Sequence, residues 1–476
     1  MNKTKSLPIG SSILPLIILI LLLAYNVFVF GDDALSGSNQ FILLIGAAIA
    51  ASIGFIYKTS YKNMLIKVAD NFQSVAGAIL ILLFVGALAG TWLASGIIPA
   101  MIYYGLKVLH PSIFLPSCII ICAIISLATG SSWTTSATVG IALIGIGKAL
   151  GLPSGMIAGA VISGAYFGDK LSPLSDTTNL APAMAGGDLF THIKYMTLTT
   201  VPSIIITIIV FLMLGFFQEQ RGAADIISIQ GQIESKFNIN YWLFIVPIFV
   251  IFLISKKTPP LVGLLSGTIL GAIFALIFQP EIVLALSGEN SYNFSSAYKG
   301  ILNAITINSQ IQTENKLLYD LFSSGGMKGM LDTIWLIICA MVFGGVMESI
   351  GALDTITNAL LNWAKNTFQL FASTVATCLT INLTASDQYL AIVIPGKMFS
   401  KSYKDRNLAP ENLSRTLEDS GTVTSALIPW NTCGAYQSSV LNVGVGEYFI
   451  FAIFNWLSPF MTLLYAALKI KIRTLK

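Results

Sequence analysis

The sequence predicts an all-α polytopic membrane protein of two inverted-topology repeats. It should have roughly 11–13 membrane segments, several of them broken helices or re-entrant hairpins. Three observations point there. Of 476 residues, 55% are hydrophobic and only 10% charged, with a mean hydropathy of +0.79. A soluble domain carries about 25% charged residues because its surface must be wet, so most of this surface must meet lipid. The Lys and Arg residues gather on alternate sides of the apolar runs, and polar breaks interrupt those runs at matched places in the two halves.

Taken in order, residues 13–30, 41–57 and 72–98 are apolar runs of about the length a membrane span requires. Lys3 and Lys5 precede the first run, as in a signal peptide. The run is long for that role, lacks a small-residue cleavage site near Gly31 and is followed by further spans, so it reads as a transmembrane helix. Residues 113–150 hold two apolar arms around a polar centre, expected to dip into the membrane and return. Residues 155–186 form a broken span, and 196–217, 240–254 and 261–278 follow. In the second half 333–360 cross, 369–400 dip and return, 415–443 form a broken span and 448–468 cross last. No run shows the alternation of an outer-membrane barrel strand. The organisation is N-terminal helices (1–70), a first repeat (71–190), connecting helices with an extracytoplasmic loop (191–332), a second repeat (333–446) and a C-terminal helix with a basic tail (447–476).

Cytoplasmic loops concentrate Lys and Arg. With both termini inside, 18 of the 26 basic residues fall on the inner face, Lys3, Lys5, Lys257, Arg415 and Lys476 among them. Seven, including Arg221 and Lys316, fall outside, and Lys170 lies in a broken span. No arginine is expected in the membrane core. An offset of 256 aligns Cys122 with Cys378, Leu127 with Leu383, Gly140 with Gly396 and Pro173 with Pro429. The charge rule gives these halves opposite orientations, the pattern of inverted-repeat transporters.

Irregular backbone at membrane depth survives only beside protein or water. The breaks at 129–136, 168–179, 382–388 and 418–432 are rich in Ser, Thr, Asn and Asp. Their hydroxyl, carboxylate and freed carbonyl oxygens suit a hard cation such as sodium, and nothing in them suits a transition metal. Candidate ion- or substrate-binding residues are Ser131, Ser132, Thr134 and Thr135 in the first break, and Asp169, Asp176, Thr177, Thr178 and Asn179 in the second. Ser386 and Asp387, then Asp419 and Asn431, complete the set, with Asp176, Asp387 and Ser131 as sodium ligands. An acid inside a membrane is costly and usually functional. Asp176 could otherwise cap the helix that follows it. Asp169 could pair with Lys170, and Glu348 could hold a proton or pair with a neighbouring helix. His110 and His192 read as interfacial, and the small residues of 86–96 and 158–168 as helix-packing surfaces. The five cysteines lack metal-ligand spacing and read as buried free thiols. No cofactor loop, HExxH motif or Ser/His pairing points to an enzyme. The +4 charge sits at span ends rather than on one face, which argues against a nucleic-acid partner.

The stretches GSSWTTSATVG (130–140), GAYFGDKLSPLSDTTNLAPA (164–183) and LEDSGTVTSALIPWNTCG (417–434) resemble the NhaC family of sodium/proton antiporters, part of the ion transporter superfamily. The resemblance extends over most of the chain. It implies a fold of inverted repeats with broken hairpins, a bacterial plasma (inner) membrane location, and sodium efflux against proton entry. Sodium, protons and the lipid bilayer would be the partners. The same family includes members that exchange malate for lactate with ion coupling. Two readings therefore stand: sodium/proton exchange, or ion-coupled antiport of a small carboxylate or amino acid with Lys170 as its partner. Oligomeric state, a homodimer included, is left open.

Overall fold

In hydrocarbon each backbone amide must find a partner inside the chain, and a helix supplies one for every residue but those at its ends. The computed structural model describes residues 7–30, 34, 36–217, 223–256, 258–313 and 315–475, and it is helical almost throughout. Lys3, Lys5, Arg221, Lys257 and Lys476, used above to orient the chain, lie outside the described residues. Among the described residues seven helices are long and apolar enough to cross a membrane: Ile9–Phe30, Ser38–Ile56, Tyr61–Ala94, Pro111–Thr129, Leu189–Phe217, Pro260–Phe278 and Lys328–Ser349. An eighth arises if Ile226–Lys236 and Tyr241–Ser255, bent by 90° to one another, count as one span. The other expected segments are shorter helices on either side of a break. One two-stranded ribbon, Ser309–Gln310 with Ser323–Ser324, is the only sheet among the described residues.

Helix Lys328–Ser349 lies at the centre, with 67% of its apolar window buried against 28% for Ile9–Phe30 at the periphery. It packs on both Ser38–Ile56 and Tyr61–Ala94. Phe28, Phe55, Ile205 and Ile269 point outward, as lipid-facing residues should.

The breaks fall where the sequence placed them, and helix boundaries repeat with the same offset. Helix Pro111–Thr129 and the following helical stretch 132–149 form the first hairpin; Thr367–Thr384 and Leu390–Asp405 form the second. Ser154–Leu171 and Asp176–Ala185 make the first broken span. In the second, Pro410–Leu417 continues through a π-helical turn, Glu418–Thr422, before the chain resumes at Thr432–Leu441. The starts Pro111 and Thr367, Ser154 and Pro410, and Asp176 and Thr432 each lie 256 residues apart.

Two expected crossings are divided. Runs 72–98 and 333–360 each read as one span, but the first helix begins at Tyr61 and ends at Ala94, and the second ends at Ser349. Gly96 (φ 80°) and Gly351 (φ 76°) take the left-handed conformation that ends a helix, and Ile97–Val108 and Ala352–Trp363 follow as separate helices. The connecting region 191–332 also holds helices at Ala223–Lys236, Pro280–Ser287 and Phe294–Thr306.

Small residues let backbones approach, as the sequence suggested. A Cβ on Gly164 would meet the carbonyl oxygen of Ile119, and one on Gly168 that of Ala123, so Pro111–Thr129 and Ser154–Leu171 touch backbone to backbone. Gly86 and Gly90 lie likewise against the carbonyls of Gly326 and Ala304. All five cysteines are buried and free. Gly164→Val should therefore destabilise the detergent-purified protein by about 1–3 kcal/mol through overpacking, read as a lower midpoint of thermal unfolding. Gly231→Ala, where an added Cβ meets nothing within 4 Å, should be neutral or gain up to ~1 kcal/mol. Equal midpoints for Gly164→Val and the parent chain would rule out the close approach.

Candidate functional site

The two hairpin tips and the first broken span enclose a cavity of about 560 Å³. Its floor is the turn Thr129–Trp133, where left-handed Gly130 caps one arm and packs on Leu174. Pro173–Thr177 and Asn179 form one wall, and Asp387–Tyr389 with Thr432 form another. Ser74, Gly77 and Ala78 of helix Tyr61–Ala94 close a third side. Thr258–Pro260, in the connection between two spans, also reach the cavity, so it extends from the hairpin tips toward the membrane face carrying that connection.

Three carboxylates border this space: Asp169, Asp176 and Asp387. Asp176 opens helix Asp176–Ala185, is exposed to the cavity, and forms no ion pair among the described residues. Asp169 is buried; its Oδ2 accepts from the Ser132 amide at 3.1 Å and the Ser132 hydroxyl at 2.6 Å. Asp387 is buried at the second tip, and its Oδ1 accepts from the Leu390 amide at 2.9 Å. The Tyr389 hydroxyl lies within electrostatic reach of all three. A carboxylate offers about four acceptor directions, so each acid keeps capacity beyond these bonds. No Lys or Arg lines the cavity among the described residues.

Of the sequence-derived candidates, Ser131, Ser132, Asp169, Asp176, Thr177, Asn179 and Asp387 line the cavity. The other six do not. Ser131 caps the helix after it, accepting from the Thr134 amide at 3.1 Å and the Thr134 hydroxyl at 3.0 Å. The Thr135 hydroxyl bonds back to the Ser131 carbonyl at 2.9 Å. Thr178 ties two segments together, donating to the carbonyls of Asp169 and Lys170 at 3.3 and 3.1 Å. Asn179 holds the break itself through the carbonyls of Pro173 and Ser175. Asn431 caps the last broken helix through the Cys433 amide and reaches Asn382, which in turn bonds the Gly421 carbonyl. Ser386 adopts φ 58°, and its carbonyl accepts from the Thr432 amide at 3.0 Å.

Asp419 belongs to a different neighbourhood. It is wholly buried, ion-paired to Lys170, and accepts from the hydroxyls of Thr199 (2.8 Å) and Thr462. Lys170 is thus not the partner of Asp169: adjacent positions on a helix point about 100° apart, so Asp169 faces the cavity and Lys170 faces away from it. Two other expectations change. Arg415, counted as a cytoplasmic charge, is wholly buried, its guanidinium 4.6 Å from the Tyr195 ring, because the broken span begins before it, at Pro410. His192, read as interfacial, is buried with Nδ1 2.7 Å from the Ser414 hydroxyl, because helix Leu189–Phe217 begins earlier than the apolar run suggests. Glu348 pairs with Lys67 on the neighbouring helix at 2.8 Å. Ser74, Ser175, Gln388 and Tyr389 line the cavity without having been singled out. Ser74 lies in an apolar run, where a lone serine gives no signal, whereas the other three flank chosen residues in the breaks.

A model of the Na+/H+ antiporter family matches residues 164–470. The Na+/H+ antiporter NhaC of Alkalihalophilus pseudofirmus is 36% identical over 466 residues, covering 98% of this chain and 97% of that relative. The malate-2H+/Na+-lactate antiporter of Bacillus subtilis is 35% identical over 444 residues, covering 93% and 90% respectively. The Na+/H+ antiporter NhaC of Bacillus subtilis is 34% identical over 430 residues, covering 90% and 91%.

The buried pair gives a stability test. Lys170→Met leaves Asp419 without its cation and should cost about 3–5 kcal/mol. The double variant Lys170→Met with Asp419→Leu should recover most of that loss, since replacing a buried pair by apolar groups is often neutral. Unfolding in detergent compares the two, and a double variant no better than the single one would mean the pair is not the interaction lost.

Proposed function

Because this chain belongs to the Na+/H+ antiporter family, we propose that it exports sodium in exchange for protons by alternating access in a bacterial plasma membrane, which its multiple apolar helices span. The observation that carries this reading is the cavity itself: three carboxylates converge on it and, among the described residues, no cationic side chain lines it. Such a donor set recognises a hard cation. Asp176 and Asp387 are the sodium ligands, with Ser131 and neighbouring oxygens completing the shell. Sodium at a carboxylate opposes protonation there, and a proton opposes sodium, because each removes the charge the other needs. Exchange follows if the site crosses when loaded with either ion and stays put when empty, since uncompensated carboxylates are costly to move through the membrane interior.

Antiport of a small carboxylate, suggested by the likeness to the malate-2H+/Na+-lactate antiporter, has less to rest on. Helix N-termini at Ser132, Asp176 and Leu390 meet the cavity and would suit an anion. Some of those amides are already claimed by the chain: Ser132 by Asp169, Thr134 by Ser131, Thr178 by Ser175 and Leu390 by Asp387. Lys170, the expected anion partner, is held by Asp419.

With the termini inside, the connection Thr258–Pro260 lies at the cytoplasmic face, and the cavity is open to the cytoplasm. A cysteine at Thr258 or Ser74 should then react with a membrane-impermeant thiol reagent in inside-out vesicles and resist it in intact cells. The reverse pattern would invert the orientation. For the exchange itself, the protein is reconstituted in liposomes with an internal pH dye, and sodium is added alone. Sodium should dissipate an imposed pH gradient. Asp176→Asn and Asp387→Asn should each weaken apparent sodium affinity about ten- to a hundredfold, the equivalent of ~1.5–3 kcal/mol for a contact to a charged group. A chain silent to sodium alone but active once malate or lactate is present would be an organic-anion antiporter.

A further inference from the structure

Behind the cavity wall lies an acid that the scheme above does not use. Glu418 starts the π-helical turn Glu418–Thr422, is wholly buried, and neither of its carboxyl oxygens has a hydrogen-bond partner. Turns of this kind interrupt regular helix bonding and are frequent at functional sites. Its surroundings are defined on each side. Helix Ser154–Leu171 sends Lys170 to the neighbouring Asp419, and helix Asp176–Ala185 packs against the turn itself. Asp419, next in sequence, holds Lys170 together with Thr199 and Thr462. Arg415, about one helical turn earlier, is packed on Tyr195 and Tyr465. His192 is bonded to the Ser414 hydroxyl.

Glu418 thus sits in the buried interior next to Asp419, which already closes the pair with Lys170. A purely structural position here would be filled at lower cost by an apolar or amide side chain, because an ionised carboxylate without hydrogen bonds is among the most expensive groups to bury. Loss and gain of a proton at that position is a role an apolar or amide side chain cannot fill. The arrangement also keeps Glu418 away from the cation: it does not line the cavity, whereas Asp169, Asp176 and Asp387 do.

We propose that Glu418 carries a transported proton at a site separate from the sodium site. In the inward step of the cycle an O–H bond forms at one Glu418 oxygen as an O–H bond of a hydronium on the outer side breaks. The Glu418 O–H bond breaks on the inner side as the proton returns to water, and nothing is oxidised or reduced. The inference rests on the sodium/proton reading and deepens it: protons and sodium then share the cavity acids but not Glu418, so the chain moves more protons than a single shared site allows.

The test uses the full chain in proteoliposomes and reads two quantities, sodium/sodium counterflow and the proton-to-sodium ratio from null-point titration of membrane potential against the ion gradients. Glu418→Gln should keep counterflow at the parent level and lose one proton per sodium. Counterflow kept with an unchanged ratio overturns the proposal, and so does loss of counterflow by a variant that unfolds at the parent temperature. Should Glu418→Gln fail to fold, Glu418→Asp decides: a proton carrier with a shorter reach shifts the pH profile of exchange at the parent ratio, and an unshifted profile overturns it. A parent chain that moves no protons in response to sodium sinks the exchange reading instead, a result distinct from each of these.

Discussion

The ion pair between Lys170 and Asp419 is the interaction on which the interior of this protein depends. Neither charge could stand alone at 0% exposure, since an unpaired ion in a medium of low dielectric costs far more than any single packing contact returns. The pair joins the first broken span to the π-helical turn of the second, and so couples the two halves where their helices are interrupted. Thr199 and Thr462 bring two further helices to the same carboxylate. With Lys170 committed there, Asp169 is left without a cation and takes the amide and hydroxyl of Ser132 instead. A charge pair away from the cavity thereby sets the wall of the cavity.

Breaking a helix inside a membrane frees amides and carbonyls that water cannot satisfy. Much of the polar sequence in the breaks answers that need. Ser131, Ser175 and Asn431 cap helix starts, Asn179 bonds two carbonyls of its own break, and Asn382 bonds the Gly421 carbonyl from the neighbouring hairpin. Trp133 and Tyr436 stack at 4.0 Å between ring centres, and the Tyr436 hydroxyl donates to the Trp133 carbonyl, fixing the first tip against the second broken span. Asp176 projects past this scaffold from the first turn of its helix and is left to face the cavity without a bonded partner among the described residues.

That division explains what could be read in advance. The breaks were legible because Gly130, Pro173 and Pro429 cannot continue a helix without penalty, and because polar runs stand out inside apolar ones. The offset of 256 residues read from the sequence is shared by three pairs of helix starts. The roles of individual hydroxyls were not, since capping and ion binding select the same residue types: Thr135 and Ser131 look alike in sequence and differ in which way the chain turns. Arg415 misled for a related reason. Counting basic residues by loop assigns a side, and gives no indication that a helix starting at Pro410 carries Arg415, in its second turn, into the protein and against Tyr195. The stops at Gly96 and Gly351 were hidden because apolar residues continue across both.

The result is two polar zones with different access to water. The cavity borders on three acids and extends to Thr258–Pro260, in the connection between two spans. The cluster around Lys170, Asp419, Arg415 and Glu418 is closed on all sides by Tyr195, Tyr465 and the helices that carry its charges. In the hydrated cavity sodium can keep most of its oxygen shell while a carboxylate replaces part of it. In a dry cluster a proton needs only one acceptor oxygen, whereas sodium would need a full oxygen shell that the cluster does not offer. Asp169 borders the cavity, held by the amide and hydroxyl of Ser132. Selectivity between the two ions can therefore come from where each is able to go, without requiring any one carboxylate to tell them apart.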